Sequence, residues 1–329
     1  MAPMSRPRVR IVSPALASAN NGNWHTAARW QRMLAAQAEV DIALGWDGEP
    51  VDALIALHAR RSADAIARWH AAHPAGPLAV VLTGTDLYRD LAEGDASAAH
   101  SLKCASHLVV LQPAALRRLD DASRGKARVV LQSAPVLLRS DKPADVTAFA
   151  AVGHLRGEKD PATLMRAVLS LPDSPPMSVV HVGGALDEHL ADEARRTMAR
   201  CPRYRWLGGL PPGETRELIA RAHALVHPSR MEGGANVVIE ALRSRVPVLA
   251  SRIDGNVGLL GEDYDGYFDV GDASALAGLM RRFAAEPAFA AGLGAQCAAR
   301  EPMFAPEAEE AAVKGLLDDM LRGAATMHA

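Results

Sequence analysis

The sequence predicts an α/β protein built from two Rossmann-like domains, each with a parallel sheet. Short β-branched and aliphatic runs alternate with helical stretches along the whole chain, which is the pattern of βαβ units. At 329 residues, with 49% hydrophobic and 22% charged residues, the chain is long enough for two domains with separate cores. A segment that contains Pro135, Pro143 and scattered charges divides the strands into two series.

The strands of the first series are short apolar runs separated by polar or helical stretches. They cover Val9–Ser13, Val40–Leu44, Ala53–Leu57, Leu78–Thr83, His107–Leu111 and Arg128–Gln132. The helices between them include Trp24–Ala36 and Ser62–His73. Residues 1–145 are therefore predicted to form the first domain.

The second series follows the same alternation. Its predicted strands are Ala148–Gly153, Ser178–Val182, Tyr204–Leu207, Ala224–His227 and Pro247–Ala250. Its predicted helices are Pro161–Ser170, Leu186–Arg200, Gly213–Arg221, Ala235–Arg245 and Ala273–Ala285. Residues 146–305 make the second domain, and a helix over 306–323 follows a break between Pro302 and Pro306. Two such domains facing each other leave a central cleft at the carboxyl ends of their strands, where α/β folds bind ligands.

Composition excludes several classes of protein. The net charge of −2 and the lack of a basic tail argue against binding to nucleic acid. Cys104, Cys201 and Cys297 are far apart and odd in number, which indicates a reduced, cytoplasmic setting. No apolar run approaches 18 residues, so the sequence predicts neither a signal peptide nor a membrane span.

The most informative segment contains two glutamates, Glu232 and Glu240, on either side of a glycine pair and a helix start. Gly233 and Gly234 lack a Cβ, so their backbone can lie close to a ligand. The amides that open the following helix, including those of Ala235 and Asn236, favour a diphosphate. We therefore expect Glu232 to bind sugar hydroxyls, the amides to bind phosphate, and Glu240 to bind ribose hydroxyls.

A structural interpretation of this segment is also open. Glu232 can simply cap a surface helix, and Glu240 can be one of that helix's solvated charges. The apolar neighbours of Glu240, among them Ile239 and Ala241, argue against the second alternative, because an unpaired charge among them is costly.

Charged residues also follow the first strand of the second domain. Arg156 and Lys159 lie in the segment Gly153–Asp160, where they can stabilise the charge of a leaving diphosphate. The alternative is that Lys159 only pairs with its neighbours, Glu158 or Asp160.

In the first domain, three loops at the carboxyl ends of predicted strands carry candidate ligands. The loop after the first strand supplies Asn20 and Asn21 for the acceptor and Gly22 for the donor, although a plain strand-to-helix connection is an alternative. The loops after the third and fourth strands supply five more acceptor-binding candidates: His58, Arg60, Thr83, Asp86 and Arg89. Two of these have alternatives, since His58 can be a buried core histidine and Asp86 a helix N-cap.

Other catalytic motifs are missing from the sequence. No His, Cys or Asp cluster has the spacing of a zinc site, and neither a Walker A loop nor a Gly-x-Gly-x-x-Gly fingerprint occurs. We therefore expect no metal and no cofactor, with a nucleotide sugar as co-substrate and protein cations stabilising its diphosphate.

Three motifs together resemble the retaining glycosyltransferases of the GT-B fold. They are Gly153 to Lys159, Glu232 to Glu240, and Asp265-Gly-Tyr with Val270-Gly-Asp. The resemblance implies that Glu232 contacts the donor sugar, Glu240 the ribose and Lys159 the diphosphate, and that the last helix returns to the first domain. Two positions depart from that family: His154, here a donor-binding candidate, replaces a usual arginine, and Gly258 replaces a common glutamate.

The finer pattern is similar to the selenosugar synthases of selenoneine biosynthesis. Four segments carry the similarity: Ser18–Ala27, Leu82–Tyr88, Gly153–Arg156 and Arg230–Asn236. The similarity implies transfer of a glucosyl or N-acetylglucosaminyl unit from a UDP-sugar to selenophosphate, with release of UDP and phosphate. Alternatives are an O-glycosyltransferase with a hydroxyl acceptor, a UDP-sugar epimerase and a non-catalytic nucleotide-sugar sensor.

Overall fold

A computed structural model describes residues 6–17 and 21–327. The chain divides into two compact units. The first extends to Gln132 and includes the chain from Pro306 onward, whereas the second comprises Ser133–Ala305. The return of the last helix to the first unit agrees with the resemblance described above. The predicted boundary at residue 145 differs, because residues 133–145 group with the second unit.

The first unit contains a six-stranded parallel sheet in the order β2-β1-β3-β4-β5-β6. Its strands are β1 (Arg8–Val12), β2 (Glu39–Ala43), β3 (Ala53–Leu57), β4 (Leu78–Leu82), β5 (His107–Val110) and β6 (Ala127–Val129). Its helices are α1 (Gly22–Leu34), α2 (Ala63–Ala72), α3 (Ala96–Cys104) and α4 (Asp121–Gly125), with a π-helical turn over Asp86–Asp90 and a 3-10 helix over Pro113–Arg118.

Both faces of the first sheet are buried, because alternate strand residues point to opposite sides. On one side, Leu54 and Val80 pack with Trp69 of α2. On the other, Ile55 packs with Trp30 of α1 and with apolar residues of the last helix, α12 (Pro306–Met327). Helix α12 thus supplies core residues that the first 132 residues lack.

The second unit repeats this architecture, with a six-stranded parallel sheet in the order β12-β11-β10-β7-β8-β9. Its strands are β7 (Thr147–Val152), β8 (Met177–Val182), β9 (Tyr204–Trp206), β10 (Ala224–His227), β11 (Val248–Ser251) and β12 (Tyr267–Phe268). Its helices are α5 (Pro161–Leu169), α6 (Glu188–Arg200), α7 (Pro212–Arg221), α8 (Asn236–Arg243), α9 (Asp254–Leu260), α10 (Ala273–Ala285) and α11 (Pro287–Arg300).

The strand orders fix where each unit can bind a ligand. In the second sheet, β8 and β9 extend to one side of β7, whereas β10, β11 and β12 extend to the other. The order therefore reverses between β7 and β10, and in the first sheet it reverses between β1 and β3. Ligands of open α/β sheets bind at such points, outside the carboxyl ends of the strands.

The eleven predicted strands are all present, and their ends differ from the predicted ones by at most three residues. The two-residue strand β12 was not predicted, since Tyr267–Phe268 is too short to show a pattern. The predicted α/β fold with two parallel sheets is confirmed.

Candidate functional site

The point of strand-order reversal in the second unit joins a lysine, a glutamate and a histidine. Lys159 lies in the loop after β7, and Glu232 lies in the loop after β10. The Lys159 Nζ atom donates a hydrogen bond of 2.5 Å to the Glu232 Oε1 atom. His227, the buried last residue of β10, has its Nε2 atom 3.3 Å from the same oxygen. Two neighbouring parallel strands are thus connected at their carboxyl ends by one carboxylate.

The ionisation of Glu232 follows from these contacts. Burial alone would raise the pKa of its carboxyl group, but Lys159 and His227 hold that pKa far below its ordinary value. The carboxylate is therefore ionised, and its oxygens can only accept hydrogen bonds. Sugar hydroxyl groups are suitable donors for such an acceptor.

The structure corrects the alternative that Lys159 only pairs with its sequence neighbours. It pairs with neither Glu158 nor Asp160, because the carboxylate of Asp160 bonds Thr163 and lies 3.0 Å from Arg230 Nη2. It also lies against Glu232, which the sequence analysis had assigned to a different part of the ligand. Sequence spacing could not show this contact, because the two residues are 73 positions apart.

The other candidates of this loop contribute in different ways. Arg156 precedes the 3-10 turn Gly157–Lys159, and its Nε atom lies 4.0 Å from Glu158 Oε2. His154 accepts a hydrogen bond of 3.0 Å from the Gly184 amide at Nδ1, which ties the loop to the loop after β8. Burial, together with the charges of Arg156 and Lys159, lowers the pKa of His154, so the ring is neutral near neutral pH.

Three residues that the sequence analysis missed hold the Gly153 turn in place. Tyr204 donates to Nδ1 of the buried His181 at 2.8 Å, and Nε2 of His181 donates to the Gly153 carbonyl at 3.1 Å. A Cβ on Gly183 would lie 1.9 Å from that carbonyl, so only glycine allows the two loops to approach so closely. Burial lowers the pKa of His181 to about 4, which keeps its ring neutral.

The glycine pair and the following helix have the predicted arrangement. Gly233 is buried and Gly234 half-buried, and α8 begins at Asn236. Ala235 precedes the helix and has no side-chain oxygen that could cap it. Glu240 is half-buried in the second turn of α8, roughly 6 Å from the helix start at 1.5 Å per residue.

A second close approach lies behind Glu232. A Cβ on Gly255, the second residue of α9, would lie 2.4 Å from the Glu232 carbonyl oxygen and 2.8 Å from its Cβ. The backbone of Glu232 therefore rests directly on α9. The sequence analysis noted this loop only for Gly258.

In the first unit, the candidates after β1 serve the start of α1. Asn21 is the N-cap, and its Oδ1 atom accepts from the Trp24 amide at 3.2 Å, so this oxygen is used within the fold. Gly22 is the first residue of α1. Asn20 lies outside the described residues.

Two predicted acceptor ligands, His58 and Asp86, have structural roles instead. His58 is buried, and its Nε2 atom lies 2.9 Å from Thr85 Oγ1. Asp86 is fully buried, and its carboxylate accepts hydrogen bonds from the Ala59, Thr83, Gly84 and Leu87 amides. The core alternative for His58 agrees with this burial. Asp86 is not the N-cap, because Thr85 has that position, but its carboxylate does bind the backbone amides that precede the turn. Thr83 contributes its amide to this network and is only partly buried.

The arginines after β3 and β4 converge on one carboxylate. The Arg60 Nε atom donates to Asp90 Oδ2 at 2.9 Å, and the Arg89 Nε atom donates to Asp90 Oδ1 at 3.1 Å. The Asp90 side chain is only 5% exposed, whereas Arg60 is 42% exposed. The sequence analysis named both arginines but did not find Asp90.

Within residues 6–17 and 21–327, the structure contains no group of three or more His, Cys, Asp or Glu side chains suited to a metal ion. None of the helices described there is long and apolar enough to cross a membrane.

The second unit matches a known family. Residues 139–298 match the family model described as glycosyl transferases group 1. The matched segment contains Lys159, Glu232 and Glu240, which form the site at the reversal point and the helix beside it.

Curated relatives have related names. The chain is 32% identical over 139 residues to a D-inositol 3-phosphate glycosyltransferase of Corynebacterium diphtheriae, an alignment that covers 37% of this chain and 32% of the relative. It is 31% identical over 219 residues to the protein of that name in Streptomyces avermitilis. This alignment covers 57% of this chain and 46% of the relative. The chain therefore spans less than half the length of these relatives.

Solved structures share the fold over nearly the whole chain. A sucrose-phosphate synthase from Thermosynechococcus elongatus superposes with a TM-score of 0.78 at 18% identity, covering 96% of this chain and all of that one. Anabaena HepE in complex with UDP-glucose gives a TM-score of 0.75 at 14% identity and covers 95% of this chain. The fold is GT-B, as the sequence resemblance implied.

Acid conditions should destabilise the second unit through His181. Its pKa is about 4 in the folded chain against 6.5 when exposed, so the unfolded chain binds the proton first as pH falls. The contribution of His181 to the free energy of unfolding is therefore fully present above pH 6.5. It decreases by about 3 kcal/mol as the pH falls toward 4. Urea unfolding at these pH values should show that the free energy of unfolding decreases less for His181→Gln than for the unchanged chain. The exposed His189→Gln should leave the pH dependence unchanged, and an equal loss in both variants would contradict the assignment.

Gly255→Ala should disturb Glu232 directly. The added methyl group meets backbone atoms that cannot rotate away, so we expect a loss of about 1–3 kcal/mol in the free energy of unfolding. Gly278→Ala is the matched control, because a Cβ there meets nothing within 4 Å in α10. Alanine favours a helix, so this control should be neutral or slightly stabilising in the same urea titration. Equal stability of Gly255→Ala and the unchanged chain would show that α9 does not support Glu232.

Proposed function

We propose that the chain is a glycosyltransferase that takes a hexosyl unit from a UDP-sugar. The observation that carries this proposal is the Lys159–Glu232–His227 contact at the strand-order reversal of a GT-B fold. This contact places a cation, which can bind a diphosphate, beside an ionised carboxylate, which can bind hydroxyl groups. Both lie at the position where such sheets bind ligands. The family match over residues 139–298 and the UDP-glucose complex of Anabaena HepE support the same reading.

The donor is held along α8 in this proposal. Glu232 accepts hydrogen bonds from sugar hydroxyls, and Glu240 accepts them from the ribose. The amides from Gly233 to Asn236 bind the diphosphate, where the positive end of the helix dipole adds to their effect. His154 and Gly22 complete the predicted set of donor-binding residues.

Lys159 and Arg156 stabilise the diphosphate as the glycosidic bond breaks. Negative charge then develops on the leaving oxygen, and preorganised cations lower the free energy of that transition state. The ammonium group of Lys159 has three N–H donors, of which one binds Glu232 Oε1, so the others can bind the diphosphate. The second carboxylate oxygen of Glu232 can then accept hydrogen bonds from the sugar hydroxyls.

We further propose that the acceptor is selenophosphate, as the similarity to selenosugar synthases implies. Selenium attacks the anomeric carbon, the C–Se bond forms, and the bond from that carbon to the UDP oxygen breaks. Water then cleaves the P–Se bond, which leaves a 1-selenosugar and phosphate. Selenophosphate arrives as an anion, so its selenium needs no base, in contrast to a hydroxyl nucleophile.

One specific observation favours a second candidate. The curated relatives reported above are named for D-inositol 3-phosphate, a phosphorylated acceptor with a hydroxyl nucleophile. An O-glycosyltransferase with such an acceptor also needs a site for an anion. The two candidates differ in the atom that receives the sugar, which is selenium in one and oxygen in the other.

Glu240→Ala should weaken donor binding. Loss of one or two charge-assisted hydrogen bonds to ribose should cost about 1.5–3 kcal/mol each in the binding free energy of UDP. Isothermal titration with UDP measures this change. Glu214→Ala, an exposed glutamate of α7, serves as control and should leave the affinity unchanged. Unaltered UDP affinity in Glu240→Ala would rule out the ribose assignment.

Mass spectrometry of product mixtures tests the reaction itself. UDP-glucose and UDP-N-acetylglucosamine are each incubated with selenophosphate, thiophosphate, phosphate or inositol phosphate. We expect a selenohexose together with UDP and phosphate only in the selenophosphate reactions. An O-glycoside with inositol phosphate would favour the second candidate, and a new UDP-sugar without acceptor would indicate an epimerase. Donor binding without any UDP release would indicate a sensor.

A further inference from the structure

The first unit has its own convergence of charges beside its point of strand-order reversal. Arg60 follows β3 and Arg89 follows β4, and these strands are parallel neighbours. One carboxylate, that of Asp90, gives one oxygen to the Nε atom of each arginine, at 2.9 and 3.1 Å. Two cations from different loops are thus fixed by one nearly buried anion.

The backbone that carries these residues is unusual in two places. His58, directly after β3, has a φ of 71°, a left-handed conformation that costs about 1–3 kcal/mol for a residue other than glycine. The turn Asp86–Asp90 is π-helical, a rare conformation that is frequent at functional sites. Asp86 supports both features, because it accepts the Ala59 amide of one loop and the Thr83 amide of the other.

The charge balance of the cluster favours an anionic ligand. Burial would raise the pKa of Asp90, but hydrogen bonds from Arg60 and Arg89 hold it below its ordinary value, so the carboxylate is ionised. Two guanidinium groups share this one carboxylate, so cationic groups outnumber anionic groups within the three-residue cluster. The arginine side chains are 42% and 31% exposed, so the charge is accessible to solvent although its anchor is not.

We propose that Arg60 and Arg89 form an oxyanion-binding subsite in the first unit, with Asp90 as the residue that positions both guanidinium groups. A guanidinium fixed at Nε keeps a planar array of N–H donors in one orientation, which suits the oxygens of a phosphoryl group. The ligand is the phosphoryl end of the acceptor. Its identity as selenophosphate rests on the proposed function, whereas the subsite itself requires only a phosphate-like anion.

Binding of thiophosphate to the UDP-saturated chain tests the subsite without requiring turnover. Titration calorimetry should show saturable binding to the unchanged chain and a dissociation constant at least about tenfold higher for Arg60→Gln, which loses a charge-assisted bond. Arg61→Gln is the matched control, because Arg61 is the exposed next residue and its loss changes the net charge equally. The control should bind thiophosphate as the unchanged chain does.

Asp90→Asn separates positioning from simple charge attraction. The substitution makes the cluster more positive but removes the ionised anchor of both arginines. We expect weaker thiophosphate binding, by several-fold, in spite of the added positive charge. Stronger binding would overturn the role of Asp90, because it would show that the carboxylate only opposes the anion. Circular dichroism verifies that each variant is folded. If Asp90→Asn does not fold, the thiophosphate affinity of Arg60→Gln alone tests the subsite.

The outcomes distinguish this proposal from the proposed function. Loss of thiophosphate binding in Arg60→Gln but not in Arg61→Gln supports the subsite even if no selenosugar is formed. Equal binding by the two variants overturns it, and so does the lack of saturable binding to the unchanged chain. A loss of UDP affinity in Arg60→Gln, with thiophosphate binding retained, also overturns it, because the arginines would then bind the donor's diphosphate.

Discussion

The ion pair between Lys159 and Glu232 is the interaction on which the proposed donor site depends. It connects the loop after β7 with the loop after β10, and these are the two strands between which the order of the second sheet reverses. A contact between exposed charges would contribute little, but both side chains are largely buried, at 19% and 12% exposure, and His227 approaches the same oxygen. Removing one partner would leave the other charge poorly solvated, which makes the pair a strong constraint on both loops.

The close packing around this pair explains its precision. Gly183 admits the Gly153 carbonyl, and Gly255 admits the backbone of Glu232, at distances where any Cβ would collide. His181 completes the arrangement by donating to the Gly153 carbonyl while remaining neutral. The loops that carry Lys159 and Glu232 are therefore positioned by buried backbone contacts. A site positioned in this way loses little conformational entropy when a ligand binds.

The sequence predicted the alternation of strands and helices, because each strand is a compact apolar run and each unit repeats the same βα pattern. It also predicted the glycine pair before α8 and the half-buried Glu240. Contacts between distant positions could not be predicted, since Lys159 and Glu232 meet only when β7 and β10 become neighbours. The contacts of Asp86 and His58 could not be predicted for the same reason. Both residue types can bind a ligand, but here the Ala59 amide donates to Asp86 and the Thr85 hydroxyl contacts His58. These partners come close only in the folded chain. Asp90 went unnoticed because an acidic residue between ordinary neighbours shows no pattern.

The state of His58 bears on the kind of acceptor that the first unit suits. A hydroxyl nucleophile has to lose a proton, and histidine is the side chain that most often accepts it. His58 is buried, its Nε2 atom contacts Thr85, and its Nδ1 atom accepts the Arg61 amide at 3.3 Å, so both nitrogens are occupied within the loop. The accessible groups nearby are instead the guanidinium groups of Arg60 and Arg89. In our proposal, these two oriented cations hold a nucleophile that arrives as an anion, and His58 does not serve as its base.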